Sequence, residues 1–180
     1  MITIKDSIST ACFTGHRPKS IPWIESTNDA QYLLLKNKLK EKIIDAIDTG
    51  VTHFISGMAE GVDLLAAELV LDLKWDYPFI SLECAIPFIG QQQRYYQNNY
   101  ERYQRIIERA DKVTILSNQY FKGCLFERNK YMIDNSSILI AVFNGVKTGG
   151  TFQTIALAKK KNLEIWLVNC WQYVIINNKY

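Results

Sequence analysis

Short apolar runs alternate with longer stretches of helical period along most of this chain, and that alternation restricts its fold more than any other feature. An apolar run of four to seven residues suits a buried strand, and each helical stretch has one apolar face to cover. A parallel sheet with crossover helices satisfies both demands. The expected class is α/β in three layers, a mostly parallel sheet with helices on both faces. Strands are expected at residues 10–14, 53–55, 80–86, 112–116, 137–143 and 164–168. Helices are expected at 29–48, through Leu64 to Leu71, and at 91–110, 127–133 and 151–161, with 117–126 mainly loop.

With 180 residues, 48% of them hydrophobic, and no internal repeat, the chain reads as one domain over residues 1–180. The tail from Asn169 carries Trp171, Tyr173, Val174, Ile175 and Ile176. It is too apolar to stay solvated, so it is expected to pack on the domain or on a second subunit, as in a homodimer.

Several classes are set aside by composition. Cys12, Cys84, Cys124 and Cys170 are scattered without a CxxC pair, and His16 and His53 are the two histidines. That pattern favours reduced thiols and argues against a metal site or a disulfide framework. No apolar run approaches the ~18 residues of a membrane span, and the N-terminus lacks a charged leader with an apolar core. A soluble, cytoplasmic protein is expected. The formal net charge of +3 argues against nucleic acid as partner. The basic run Lys159, Lys160 and Lys161 suits a helix C-terminus, where cations oppose the helix dipole.

In such a sheet ligands bind beyond the carboxyl ends of the strands, near the point where strand order reverses. Three turns expected there are chemically loaded. After the fifth strand comes NGVKTGGT, where Gly149 and Gly150 lack a Cβ and Thr151 opens a helix. Unpaired N–H groups and a partial positive charge make such a helix start a phosphate site. After the first strand, Gly15, His16 and Arg17 put a close-approach glycine beside an imidazole and a guanidinium able to pair with phosphate. After the second, Ser56, Gly57, Glu60, Gly61 and Asp63 could hold a ribose; as readily, Asp63 is a helix-start residue. Arg128 and Asn129 on a short helix could reach the same phosphate. Phe88 and Gln91 are weaker candidates for contact with a base, since Tyr95, Tyr96, Tyr100 and Tyr103 nearby have the spacing of helix packing.

The segments TGHRP, SGMAEGVDLLAAE, PFIGQ, RNKYMID and GGT, in this order, resemble the YpsA-like family of the SLOG superfamily. The resemblance covers about 12–168 and implies a Rossmann-like domain that binds a nucleotide or a nucleotide-derived ligand. The expected role is a sensor or regulator, with NAD or ADP-ribose types among the candidate ligands. No cofactor is required by it. The superfamily includes LOG-type phosphoribohydrolases, which hydrolyse the N-glycosidic bond of nucleoside 5′-monophosphates, and the Rossmann domain of DNA-processing protein A. The run from Arg128 to Met132 is similar to the LOG arginine segment. LOG proteins follow it with PGGxGTxxE, whereas Gln153 and Thr154 stand here where that glutamate is sought. An N-glycosidase is therefore the alternative, with Arg128, Glu60 or Asp63 as candidate catalytic groups and Glu127 as a further carboxylate.

Overall fold

The structure, a computed structural model, describes residues 9–169. Six parallel strands form its centre: β1 (Ser9–Thr14), β2 (Val51–Ser56), β3 (Ser81–Ile86), β4 (Lys112–Ile115), β5 (Ile138–Val142) and β6 (Glu164–Val168). Their order is β4-β3-β2-β1-β5-β6, every neighbouring pair parallel. The sheet is thus wholly parallel rather than mostly so. The helices are α1 (Ala30–Asp48), α2 (Val62–Leu73), α3 (Gln97–Arg109), α4 (Cys124–Asp134) and α5 (Gly149–Lys160).

From β1 the chain builds outward to β4, then crosses back to β5 and β6. Right-handed crossovers place helices on opposite faces when the direction of building reverses. The core divides accordingly. On one face Leu35, Leu39 and Ile43 of α1, with α2 and α3, cover Ala11, Phe13 and Phe54. On the other, Met132 and Ile133 of α4 and Ile155 and Ala158 of α5 cover Cys12, Leu139 and Ala141. The alternation of Cys12 with Ala11 and Phe13 is the two-residue period of a strand buried on both sides. Strand order reverses between β1 and β5, paired from Ala11↔Ile138 to Thr14↔Ala141.

Two expected elements differ. The helix expected at 91–110 is interrupted: Gln91–Arg94 is a 3-10 turn, Tyr95 and Tyr96 are extended, and α3 starts only at Gln97. The Tyr95 hydroxyl donates to Met58 O (2.9 Å) and accepts from Gln91 Nε2 (2.7 Å), and Tyr96 N–H donates to Glu60 Oε1 (3.1 Å). These bonds to the turn after β2 replace the helical ones. The expected loop at 117–126 is cut short because α4 opens at Cys124, with Gly123 at φ +101° as its N-cap.

Cys12, Cys84 and Cys124 are buried free thiols, and burial pushes Cys12 and Cys84 up to about 12. Lys159 and Lys160 lie exposed in the last turn of α5, and Lys161 pairs with Asp134 at 2.8 Å. Among the described residues no helix is long and apolar enough to cross a membrane. The apolar tail, Cys170 included, lies outside the described residues.

Candidate functional site

The turns after β1, β2 and β5 converge at the carboxyl end of the sheet around a crevice of about 480 Å³. Gly15, His16 and Arg17 line it from β1, Asp63 from α2, Arg128 and Asn129 from α4, and Gly149, Gly150 and Thr151 from α5.

The start of α5 is left open. Thr148 is its N-cap in extended conformation, yet its side chain makes no capping bond, and the N–H groups of Gly149, Gly150 and Thr151 find no partner among the described residues. Gly149 has φ +84°, and a Cβ at Gly149 or Gly150 would meet no atom within 4 Å. Neither glycine is there for packing, and the space above them belongs to the crevice. Unpaired N–H groups at a helix start attract an anion.

The turn after β2 is the reverse case, its polar groups satisfied internally. Ser56, fully buried, donates to Asp63 O (2.9 Å) and accepts from Met58 N–H (3.2 Å), while Asp63 Oδ2 accepts from Ala59 N–H (3.3 Å). Gly61, at φ +92°, lies so close to the first turn that a Cβ would come within 2.6 Å of His16 O. Gly15 is similarly pressed, with Val62 Cβ 2.5 Å from where its own Cβ would stand. These glycines hold two turns together.

Arg128 has a structural partner as well as a place in the crevice. It is only 3% exposed; its Nη1 donates to Gly57 O and its Nε to Asn129 Oδ1 (2.7 Å). Asn129 Nδ2 donates to Thr154 Oγ1 (2.9 Å), which donates to Gly150 O (2.8 Å). One chain of hydrogen bonds therefore ties the turn after β2 to the first turn of α5. Gly57 makes room for it, because a Cβ there would lie 2.3 Å from Arg128 Nη1 and 2.8 Å from Asp63 Oδ2. Burial lowers the Arg128 pKa and raises that of Asp63, each opposed by the other's charge.

His16, 8% exposed, accepts from Asn144 N–H at Nε2 (3.1 Å) and stacks on Phe143, tying the turns after β1 and β5 across the switch point. Burial lowers its pKa, which favours the neutral ring, and the bond from Asn144 N–H makes Nε2 the acceptor. Arg17 differs from Arg128. It is exposed, and its guanidinium has no hydrogen-bond partner among the described residues.

Glu60, Phe88 and Gln91 lie outside this crevice. They line a second cavity of about 580 Å³, which shares Arg17 and Leu125 with the first. Residues not anticipated from sequence include Lys19, Ser20, Asn144 and Thr148 in the crevice, and Arg94, Asn118 and Tyr120 in the cavity. Thr148 had a readable signal, as a helix-capping type just before the glycine pair. The others depend on which loops meet.

Comparison with known proteins places the chain in a family. The UPF0398 protein of Bacillus cereus is 29% identical over 150 residues, spanning 82% of this chain and 81% of that protein. The UPF0398 protein YpsA of Bacillus subtilis is 26% identical over 150 residues, spanning 82% and 83% respectively. Among solved structures, DNA processing protein A (DprA) from Streptococcus pneumoniae shares the fold, with a TM-score of 0.58 at 16% identity. That match covers 89% of this chain and 50% of the other, so the chain spans half of that protein. The YpsA profile, described as the YspA SLOG family, matches residues 11–172. With the three turns of the crevice all inside that match, the chain belongs to the YpsA family of SLOG proteins.

Proposed function

We propose that the chain binds a nucleotide or nucleotide-derived ligand through its phosphate, acting as a sensor or regulator. The observation that carries this reading is the open start of α5, with Gly149 and Gly150 bare toward the crevice. Arg17 supplies a free guanidinium on the same crevice. The phosphate lies on the α5 N–H groups, Arg17 pairs with it, and Arg128 and Asn129 hold the floor rigid. Charge-assisted bonds of this kind contribute about 1.5 to 3 kcal/mol each. Calorimetric titration of the dialysed protein with nucleoside mono-, di- and triphosphates, NAD and ADP-ribose tests it. Selective binding that weakens about 10- to 100-fold in Arg17→Ala is expected. An absence of binding to every phosphate compound would overturn the reading.

One observation favours a hydrolytic version. Asp63 lines the crevice, and burial raises its pKa while Arg128 opposes the rise. A carboxyl so placed could serve as a general acid in N-glycosidic cleavage of a nucleoside monophosphate or ADP-ribose-type substrate. Base release abolished in Asp63→Asn would establish it. Binding without release, over a range of pH, would leave the sensor reading.

A further inference from the structure

Resting on that phosphate assignment, we propose that the second cavity is the nucleobase compartment of the same ligand site. The ligand is then a nucleoside phosphate laid across Arg17, with its phosphate on α5 and its aromatic base against the uncovered face of Tyr120, beside Phe88.

The two compartments adjoin and differ in chemistry. They share Arg17 and Leu125, so they lie side by side, and a ligand laid over Arg17 reaches both. The first has a helix start, Lys19, Arg17 and Arg128, groups that suit phosphate. The second is built from aromatic faces and amides. Phe88 and Tyr120 stand edge to face, ring centroids 5.4 Å apart at 83°. Tyr120 is 65% exposed, so much of that ring is uncovered. A nucleobase offers a flat π-face to such rings and a row of donors and acceptors to amide groups. Gln93, Asn118 and Gln119 bring amides to the cavity beside Gln91, and Arg94 adds a second planar cation.

Two further features fit a base and its ribose. Gln91, 7% exposed, commits its Nε2 to Gly57 O and the Tyr95 hydroxyl, while its Oε1 has no hydrogen-bond partner among the described residues. That acceptor is itself covered, and a base donor meets it once the Gln91 amide turns toward the cavity. Glu60 is held by Tyr96 N–H and Asn99 Nδ2, both on Oε1. Its carboxylate is fixed at the cavity margin, where ribose hydroxyls of a ligand crossing from Arg17 would lie.

The test separates the two compartments by using a phosphate without a base. Affinities of AMP, GMP, CMP, UMP and ribose 5-phosphate are measured by calorimetry on the wild type and on Phe88→Ala/Tyr120→Ala. Both positions are partly or largely exposed, so the variant is expected to fold, which an unchanged circular dichroism spectrum checks. The proposal expects tighter binding of at least one nucleotide than of ribose 5-phosphate. It expects the variant to lose about 10- to 100-fold for that nucleotide, the range of base stacking on aromatic side chains, and to bind ribose 5-phosphate as before. A nucleotide that binds the variant as tightly as the wild type would overturn the base compartment and leave the phosphate site standing. Loss of ribose 5-phosphate affinity in the variant would also overturn it. If neither nucleotides nor ribose 5-phosphate bind the wild type, the phosphate assignment itself has failed.

Discussion

Gly57 and Arg128 show how one residue can be needed for a reason its sequence context conceals. In sequence, SGMAEG looks like a glycine turn opened for a ligand. In the fold, Gly57 is bare because the Arg128 guanidinium and the Asp63 carboxylate crowd the place its Cβ would occupy. Gly57→Ala should therefore destabilise by about 1 to 3 kcal/mol through overpacking. Arg128→Ala should cost about 3 to 5 kcal/mol, since it leaves Asp63 buried without its nearby cation and Gly57 O without its donor. Urea unfolding of both single variants and the double variant gives the coupling. The double should be more stable than the sum of the singles implies, because alanine at Gly57 no longer meets a guanidinium. Additive costs would refute the packing account. Arg17, free of such duties, is the better probe of ligand binding.

At the scale of elements, α5 is expected to exchange stability against affinity. Thr148→Asp would supply the missing cap and add a negative charge at the helix start. A gain of about 0.5 to 1 kcal/mol in thermal unfolding without ligand is expected, with weaker phosphate binding, because the new carboxylate occupies the anion's place. Gly150→Ala should be nearly neutral or slightly stabilising, since nothing lies within 4 Å of the added methyl. A second inter-element device sits away from the crevice. Glu83 on β3, 2% exposed, accepts from His53 Nε2 on β2 (2.9 Å), Thr114 Oγ1 (2.6 Å) and Lys112 Nζ (3.1 Å) on β4, and the Tyr131 hydroxyl on α4 (2.6 Å). Burial alone would raise its pKa, but these donors together bring it down to about 2. Its unfolded value is about 4.3. The folded value is the lower, so this contribution to stability is complete above the unfolded value and is lost as pH falls toward 2. Asp63, raised by burial, has the opposite sign, so the informative quantity is a difference. Between pH 5 and 2.5 the wild type should lose more stability in urea unfolding than Glu83→Gln; parallel profiles would refute the assignment.

Across the whole molecule, the crevice joins turns far apart in the chain, and ligand binding should therefore be felt globally. Ligand at a hundred times its dissociation constant stabilises by about 2.7 kcal/mol, which for a domain of this size raises the unfolding midpoint by roughly 5 to 10 °C. Thermal-shift measurement should show that rise with the preferred nucleotide and a much smaller one with Arg17→Ala. The sequence by itself determined the α/β class, the strand at β5, the amphipathic α1 and the helix that follows the glycine-rich turn after β5. Those features are local, because hydrophobic period and missing Cβ atoms act within one element. It also named Gly15, His16, Arg17, Asp63, Arg128, Asn129 and the α5 glycines of the crevice, but neither Lys19 and Ser20 nor the division of labour among them. Only the tertiary structure decided that Ser56 and Gly57 serve packing, that Arg128 is tied to Gly57 while Arg17 is free, and that Glu60, Phe88 and Gln91 line a second cavity. It likewise decided the break before α3, where bonds from Tyr95 and Tyr96 to a turn more than thirty residues upstream outweigh the helical period. Whether a polar group is spent on its own fold or left for a ligand depends on which distant backbone reaches it, and that is settled only when β1, β2 and β5 lie side by side.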